Sequence, residues 1–146
     1  MNSTKSSMLN GHYARFLYNG IGLEGVWGGE NCALTDHGAN QWFSFELEAP
    51  EKLSRVQIAP RVGTPHRARN VHITIGPSVS YDPNEPYCLP MIPQLVMQAG
   101  FTDYNCTEPL HEGKYVKISR GVDGTDGVMD LCEIKIFTKG SNEFRF

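Results

Sequence analysis

A chain of 146 residues is the size of one domain, long enough to bury an apolar core without outside help. Its formal net charge of -3 and 20% charged residues give no general attraction for phosphate backbones or anionic headgroups, which sets nucleic-acid binding aside and argues against membrane contact. No window approaches the roughly 18 apolar residues of a membrane helix, and the opening residues MNSTKSSMLNGHYAR lack the apolar stretch of a signal peptide, so a secreted form is expected to have had its leader removed or replaced by Met1.

Period-two alternation, bounded by Gly, Pro and Asn, is the dominant local pattern, and helical stripes are almost absent. Trp42 to Leu47 alternate and end at Ala49-Pro50; Leu53, Val56 and Ile58 follow and stop at Pro60. Trp42, which opens the first of these strands, is expected in the core. Arg61 to Arg69 reads as a loop. Val71, Ile73 and Ile75 then point one way and His72 and Thr74 the other, with Gly76-Pro77 closing the strand. A Pro-rich connection through Cys88 leads to a short strand at Leu95–Met97, then Tyr115–Ser119, a turn over Gly121–Gly127, and a last strand Leu131–Phe137. Within that turn, Asp123-Gly124-Thr125-Asp126-Gly127 lacks the spacing and terminal Glu of a calcium loop and reads as a tight strand connection. Many short strands with no helix between them predict an all-β, antiparallel β-sandwich, here a jelly roll. The module is expected to span residues 1–140, with Thr138 onward turning into a polar tail that frays over 141–146.

Cys32, Cys88, Cys106 and Cys132 include no C-x-x-C pair, which argues against a zinc knuckle and a redox motif. Two disulfides or four buried thiols remain. An even count favours bridges, and the sequons Asn2-Ser3-Thr4 and Asn105-Cys106-Thr107 fit a secreted glycoprotein. Catalytic signatures are missing: there is no G-x-S-x-G, no G-x-x-x-x-G-K and no H-E-x-x-H, and the five histidines are dispersed, so the chain is expected not to be an enzyme.

Asn31-Cys32-Ala33-Leu34-Thr35, Asn40 to Leu47 and Val56-Gln57-Ile58-Ala59-Pro60-Arg61 occur in an order and spacing that resembles the F-type lectins (fucolectins), relatives of the discoidin-like, galactose-binding-domain-like fold. Val71–Gly76, Gly113–Ile118 and Leu131–Ile136 continue the resemblance, and Thr4–Ser7 and Leu17–Gly20 extend it over nearly the whole chain. The resemblance pairs Cys32 with Cys132 and Cys88 with Cys106.

It also implies a site. Fucose-binding members converge one His and two Arg on the sugar, because a small polar ligand needs several fixed donors and Arg supplies a rigid fork. The first Arg matches Arg61. The second matches Arg67 when counted back from Gly76, whereas counting forward from Arg61 lands on Ala68. The family's His position holds Leu34, leaving His37 as the nearest imidazole, and the family's adjacent cysteine pair is replaced by the neighbourhood of Thr64, Pro65 and His66. The fucose motif is thus degenerate. Arg61, His66, Arg67 and Arg69 still gather positive charge in one loop, either as a ligand site or as a solvated basic loop. Trp27, in Gly25-Val26-Trp27-Gly28-Gly29, stands where the family carries aromatics beside the sugar, and reads equally well as a loop anchor. A structural Ca²⁺ is implied with Asn19, Asn31 and Glu133 and the carbonyls of Phe16, Ile21 and Cys132, although Asn19 replaces the usual Asp.

The expected function is that of a secreted, non-catalytic lectin-like module binding a glycan or glycoprotein through Trp27, His37, Arg61 and Arg67, with weak single-site affinity raised by oligomerisation. Two other uses of the scaffold stay open: a protein-interaction module whose sugar site has decayed, and membrane-surface attachment through Val26-Trp27.

Overall fold

The computed structural model describes residues 3–5, 32–35, 41–120 and 128–139. Among them are eight strands: β1 (Ser3–Lys5), β2 (Ala33–Leu34), β3 (Gln41–Pro60), β4 (Arg69–Gly76), β5 (Ile92–Gln94), β6 (Thr102–Asn105), β7 (Glu112–Arg120) and β8 (Asp130–Thr138). Every pairing is antiparallel, in the order β2-β8-β3-β7-β4-β5, with β1 and β6 also on β3. No helix among the described residues is long and apolar enough to cross a membrane.

β3 is the hinge of the architecture. Its first part pairs with β7 through Gln41–Glu46, and its last part pairs with β8 through Leu53–Pro60 and with β6 through Arg55–Ile58. The two strands expected at Trp42–Leu47 and Leu53–Ile58 are therefore one strand that passes from one layer of the sandwich to the other. Pro50 does not break it, because the register with β7 shifts between Glu46 and Glu51 and Pro50 lies in that exposed gap, where no N–H is needed.

Alternation sets which side chains face the core. Phe43, Phe45 and Leu47 from β3, Val71, Ile73 and Ile75 from β4, Val116 and Ile118 from β7, and Ile134 and Ile136 from β8 form one apolar cluster with almost no exposure. Burying each such side chain is worth about 1.5–3 kcal/mol before the entropy of ordering it is subtracted. Trp42, in the opposite phase from Phe43, is half-buried on the other face and is not part of this cluster.

Two expected boundaries change. The strand placed at Leu95–Met97 lies three residues earlier, at Ile92–Gln94. Pro93 is tolerated there because β5 closes the sheet order, pairing with β4 through Ile92 and Gln94 and leaving Pro93 outward. Leu95 is buried in the apolar cluster instead, and its N–H donates to the Ala68 carbonyl at 2.9 Å. Thr138 belongs to β8, not to a frayed tail: it is buried and its hydroxyl donates to Glu51 Oε1 at 3.1 Å. The turn at 121–127 and the residues from 140 onward lie outside the described residues.

The opposite face of the β3-β7-β4 layer is polar yet buried. Registers Ser44–Lys117–Thr74 and Trp42–Ser119–His72 run across three strands, and Ser44, Lys117, Thr74 and Ser119 are each at most 1% exposed. The connection after β4 folds back over this face. Its Tyr81 and Tyr87 rings pack on the His72 ring with centroids 6.4 and 5.3 Å away, and burial pushes the His72 pKa below its ordinary 6.5. Glu85 from the same connection forms a buried ion pair with Lys117, whose Nζ also donates to the Ser78 carbonyl at 2.6 Å. Gly76 leaves room for this arrangement, since a Cβ there would collide with the Glu85 carboxylate.

Both expected disulfides are present. Cys32–Cys132 spans 100 residues and joins the start of β2 to β8, and Cys88–Cys106 spans 18. Because the longer loop loses more freedom when closed, replacing Cys32 and Cys132 by serine should cost about 4–5 kcal/mol, against about 3 kcal/mol for Cys88 and Cys106. Urea midpoints of the two double variants check this, and equal losses would contradict the entropic account.

Candidate functional site

β3 ends at Pro60, and the chain leaves it through a turn in which Gly63 takes φ of 111°, a conformation that favours glycine. A single 3-10 turn follows at Pro65–Arg67, with Pro at its start and the Arg67 N–H donating to the Thr64 carbonyl at 3.0 Å. Gln94 of β5 holds this turn from the side, its Nε2 donating to the carbonyls of Pro65 at 3.0 Å and Ala68 at 3.1 Å. The basic loop is therefore a braced element.

Its two key arginines converge. Arg61 Nη1 donates to Asp130 Oδ2 at 3.1 Å, and Arg67 Nη1 lies 3.8 Å from the same oxygen. Thr64 Oγ1 is 3.4 Å from that oxygen and 3.3 Å from the Arg61 carbonyl, and its single proton serves one of them at a time. The Asp130 side chain is fully buried, whereas those of Arg61 and Arg67 keep 16% and 24% of their surface. Two guanidinium groups are thus fixed from below by one carboxylate and open to water above. Such charge-assisted contacts orient the planar forks more firmly than solvent could.

Burial pushes the Asp130 pKa above its ordinary 3.8, and the neighbouring Arg61 and Arg67 charges and the Arg61 and Thr64 hydrogen bonds only partly oppose it. Asp130 Oδ1 is buried with no hydrogen-bond partner among the described residues. β8 presents this carboxylate as its first residue, opposite Leu34 of β2. The Thr35–Met129 pair, bonded through Thr35 N–H to the Met129 carbonyl at 3.0 Å and Met129 N–H to Thr35 Oγ1 at 2.9 Å, locks β2 against the approach to β8. Arg120, buried at the end of β7, donates from Nη1 to the Val128 carbonyl at 2.7 Å and steadies the same approach.

Of the residues the sequence proposed, the structure brings Arg61 and Arg67 to one carboxylate, and Ala68 is buried. His66 is exposed on the 3-10 turn, and Arg69 leaves the loop as the first residue of β4. Leu34, at the family's His position, is buried beside Asp130 in register. His37, Trp27, Asn19, Asn31, Phe16 and Ile21 lie outside the described residues. Glu133 is buried in β8, next to the bridged Cys132, and no group of three or more His, Cys, Asp and Glu able to hold a metal occurs among the described residues.

Asp130 was missed from the sequence, as was the partnering role of Thr64. The available signal was a lone acid in the apolar run Val128-Met129-Asp130-Leu131-Cys132, a position where a carboxylate needs a partner.

No family model matches the chain, and no curated protein matches it. Solved structures do. An F-lectin (fucolectin) from striped bass (Morone saxatilis) serum is similar with a TM-score of 0.79 and 22% identity, covering 94% of this chain, which spans 45% of the bass chain. The lectin domain of lectinolysin, solved with Lewis B antigen, matches with a TM-score of 0.72 and 16% identity over 94% of this chain and 92% of its own. A fucose-binding module of Streptococcus pneumoniae matches with a TM-score of 0.68 and 20% identity over 94% and 93%. At identities of 16–22%, the likeness establishes a shared architecture: the chain has the galactose-binding-domain-like β-sandwich fold found in these lectins and binding modules.

Proposed function

We propose that the chain is a non-catalytic carbohydrate-binding module that takes a glycan through the loop following β3. The observation that carries this reading is the convergence of Arg61 and Arg67 on the buried Asp130, in a fold whose solved examples include fucose- and Lewis B-binding domains. The partly exposed guanidinium groups, held in place by the buried Asp130, supply donors to sugar hydroxyl and ring oxygens. A buried Leu34 stands where the resembling family has an imidazole, so that donor is lost, the sugar preference differs from that of a fucose-binding member and single-site affinity is low. Avidity then comes from repetition, in an oligomer or a longer parent chain. Two disulfides support an extracellular setting.

A glycan array of fucosylated, galactosylated and sulfated sugars tests the proposal: the wild type is expected to bind one class, and Arg61→Ala and Arg67→Ala each to lose at least roughly tenfold, the value of about one charge-assisted hydrogen bond. Silence across the array overturns it. One observation favours a second reading, in which the loop grips a polypeptide: both arginines are already engaged by Asp130, which leaves fewer donors for a small sugar. Capture of an extracellular protein partner, unaffected by free monosaccharides and lost with Arg61→Ala, supports that alternative.

The same reading includes a structural Ca²⁺ with Glu133 as its carboxylate, together with Asn19, Asn31 and the carbonyls of Phe16, Ile21 and Cys132. Glu133 supplies the carboxylate that calcium prefers, from a buried position in β8. Adding a chelator should lower the melting temperature of the wild type and leave Glu133→Gln unchanged, and an unmoved wild-type transition would remove calcium from the account.

A further inference from the structure

We infer that Asn105 is an N-glycosylation site, and that its glycan is attached before the Cys88–Cys106 bridge closes. Asn105-Cys106-Thr107 has the acceptor pattern, and the fold presents it. In β6 the alternation turns Thr102 and Tyr104 inward, with Tyr104 only 8% exposed and its hydroxyl accepting the Val96 N–H at 3.0 Å. Asp103 and Asn105 consequently face water, and Asn105 is the last residue of the strand.

Among the described strands, β6 pairs with β3 alone, so its outer edge is open. A bulky hydrophilic chain there costs no packing and shields an edge that could pair with another molecule. The surface beside it suits a solvated sugar: Arg55, in register with Asn105, lies over the Phe137 ring at 3.9 Å, and Gln57 Nε2 donates to Asp103 Oδ1 at 2.8 Å. Arg55 is six residues before Arg61 along an extended strand, which puts Asn105 roughly 20 Å from the arginine loop at about 3.3 Å per residue. A glycan at Asn105 therefore leaves that loop open, and the inference stands whether or not the loop binds sugar.

The order of events follows from what holds the sequon once the chain is folded. The Cys106 N–H donates to the Ser54 carbonyl at 3.0 Å, the Thr107 N–H donates to the Cys88 carbonyl at 2.8 Å, and the Thr107 hydroxyl donates to that same carbonyl at 3.4 Å. Cys106 itself is bonded to Cys88. Both the hydroxyl and the backbone of the acceptor are thereby committed, whereas transfer needs the segment free to enter an enzyme. In the transfer, Asn105 Nδ2 forms a bond to the anomeric carbon of a polyprenyl-pyrophosphate-linked oligosaccharide. The anomeric C–O bond breaks, its electron pair leaves on the lipid pyrophosphate, and the Nδ2 proton passes to a base of the transferase.

The full chain, secreted by cultured eukaryotic cells behind a cleavable leader, tests this by peptide mapping after an amidase that removes N-linked glycans and marks each acceptor Asn. Asn105 is expected to carry the mark and Asn105→Gln to lose it, while Asn2→Gln leaves it in place. Secreted wild type with Asn105 unmodified overturns the site. The order is read in a Thr107→Ser background, where transfer is slow and occupancy partial. Adding Cys106→Ser keeps an Asn-Ser-Ser sequon and should raise occupancy, scored on total intracellular plus secreted chain so that a misfolded variant still reports. Occupancy that is unchanged or lower overturns the order.

Discussion

Replacing Glu85 by alanine is expected to cost about 3–5 kcal/mol, because it strands the Lys117 ammonium on a face from which water is excluded. Lys117 is fully buried in the middle of β7, and the Ser78 carbonyl is a poor substitute for a carboxylate. Glu85 also accepts the Ser78 N–H on Oε1 at 2.9 Å, so its loss frees the connection that covers the sheet. Adding Lys117→Met should return most of the lost stability, since an apolar side chain of similar length removes the charge that has no partner. A chemical-denaturation double-mutant cycle reads the coupling, and a double variant no more stable than Glu85→Ala would show that the pair is not the cause.

The pH dependence has a defined sign. Burial lowers the Lys117 pKa from its ordinary 10.5, although Glu85 pulls the other way. The unfolded chain therefore binds the proton more tightly than the folded one, a penalty present at neutral pH and relieved as pH rises from the lowered value toward 10.5. Without Glu85 the lowering is greater, so Glu85→Ala should regain stability with alkali over a wider range than the wild type.

Asp130→Ala is the second large effect. Removing the carboxylate takes away the charge that Arg61 and Arg67 share, at an expected cost of about 2–4 kcal/mol, less than for a fully buried pair because both guanidinium groups still reach water. Ligand binding should fall further than stability, since the loop loses the anchor that aims both forks. Asp130→Asn separates the two effects: it keeps the shape, loses the charge, and is expected to fold while binding poorly. Acid acts in the same way on the wild type. Because the folded Asp130 pKa is raised above 3.8, protonation between 3.8 and that raised value favours the folded state, yet it releases the arginines. Binding should thus fade in an acid range where the Asp130 titration does not itself unfold the protein, which calorimetric titration beside thermal melts can resolve.

The fold was legible because one face of most strands is apolar. Val71, Ile73, Ile75 and Ile134, Ile136 announce a buried face by period two alone, and the cysteine pairing that the family resemblance implies is the one present. Legibility failed where tertiary placement overrides a local rule. Pro50 and Pro93 look like breaks but occupy a bulge and a sheet edge. Lys117 sits in a strand the pattern shows, but its burial is not visible there, because the connection that supplies Glu85 lies 32 residues away in sequence. The site was half legible: Arg61 and Arg67 share one short loop, whereas Asp130 reaches them only through strand pairing 69 residues downstream of Arg61.

The central claim, that Asp130 aims Arg61 and Arg67 at one sugar, is tested most directly by following the guanidinium signals of both arginines by nitrogen-15 NMR during titration with the glycan the array selects. Both signals should move to saturation with one common dissociation constant, and neither should move in Asp130→Asn. Signals that stay still, or that follow two different constants, would contradict a shared cradle.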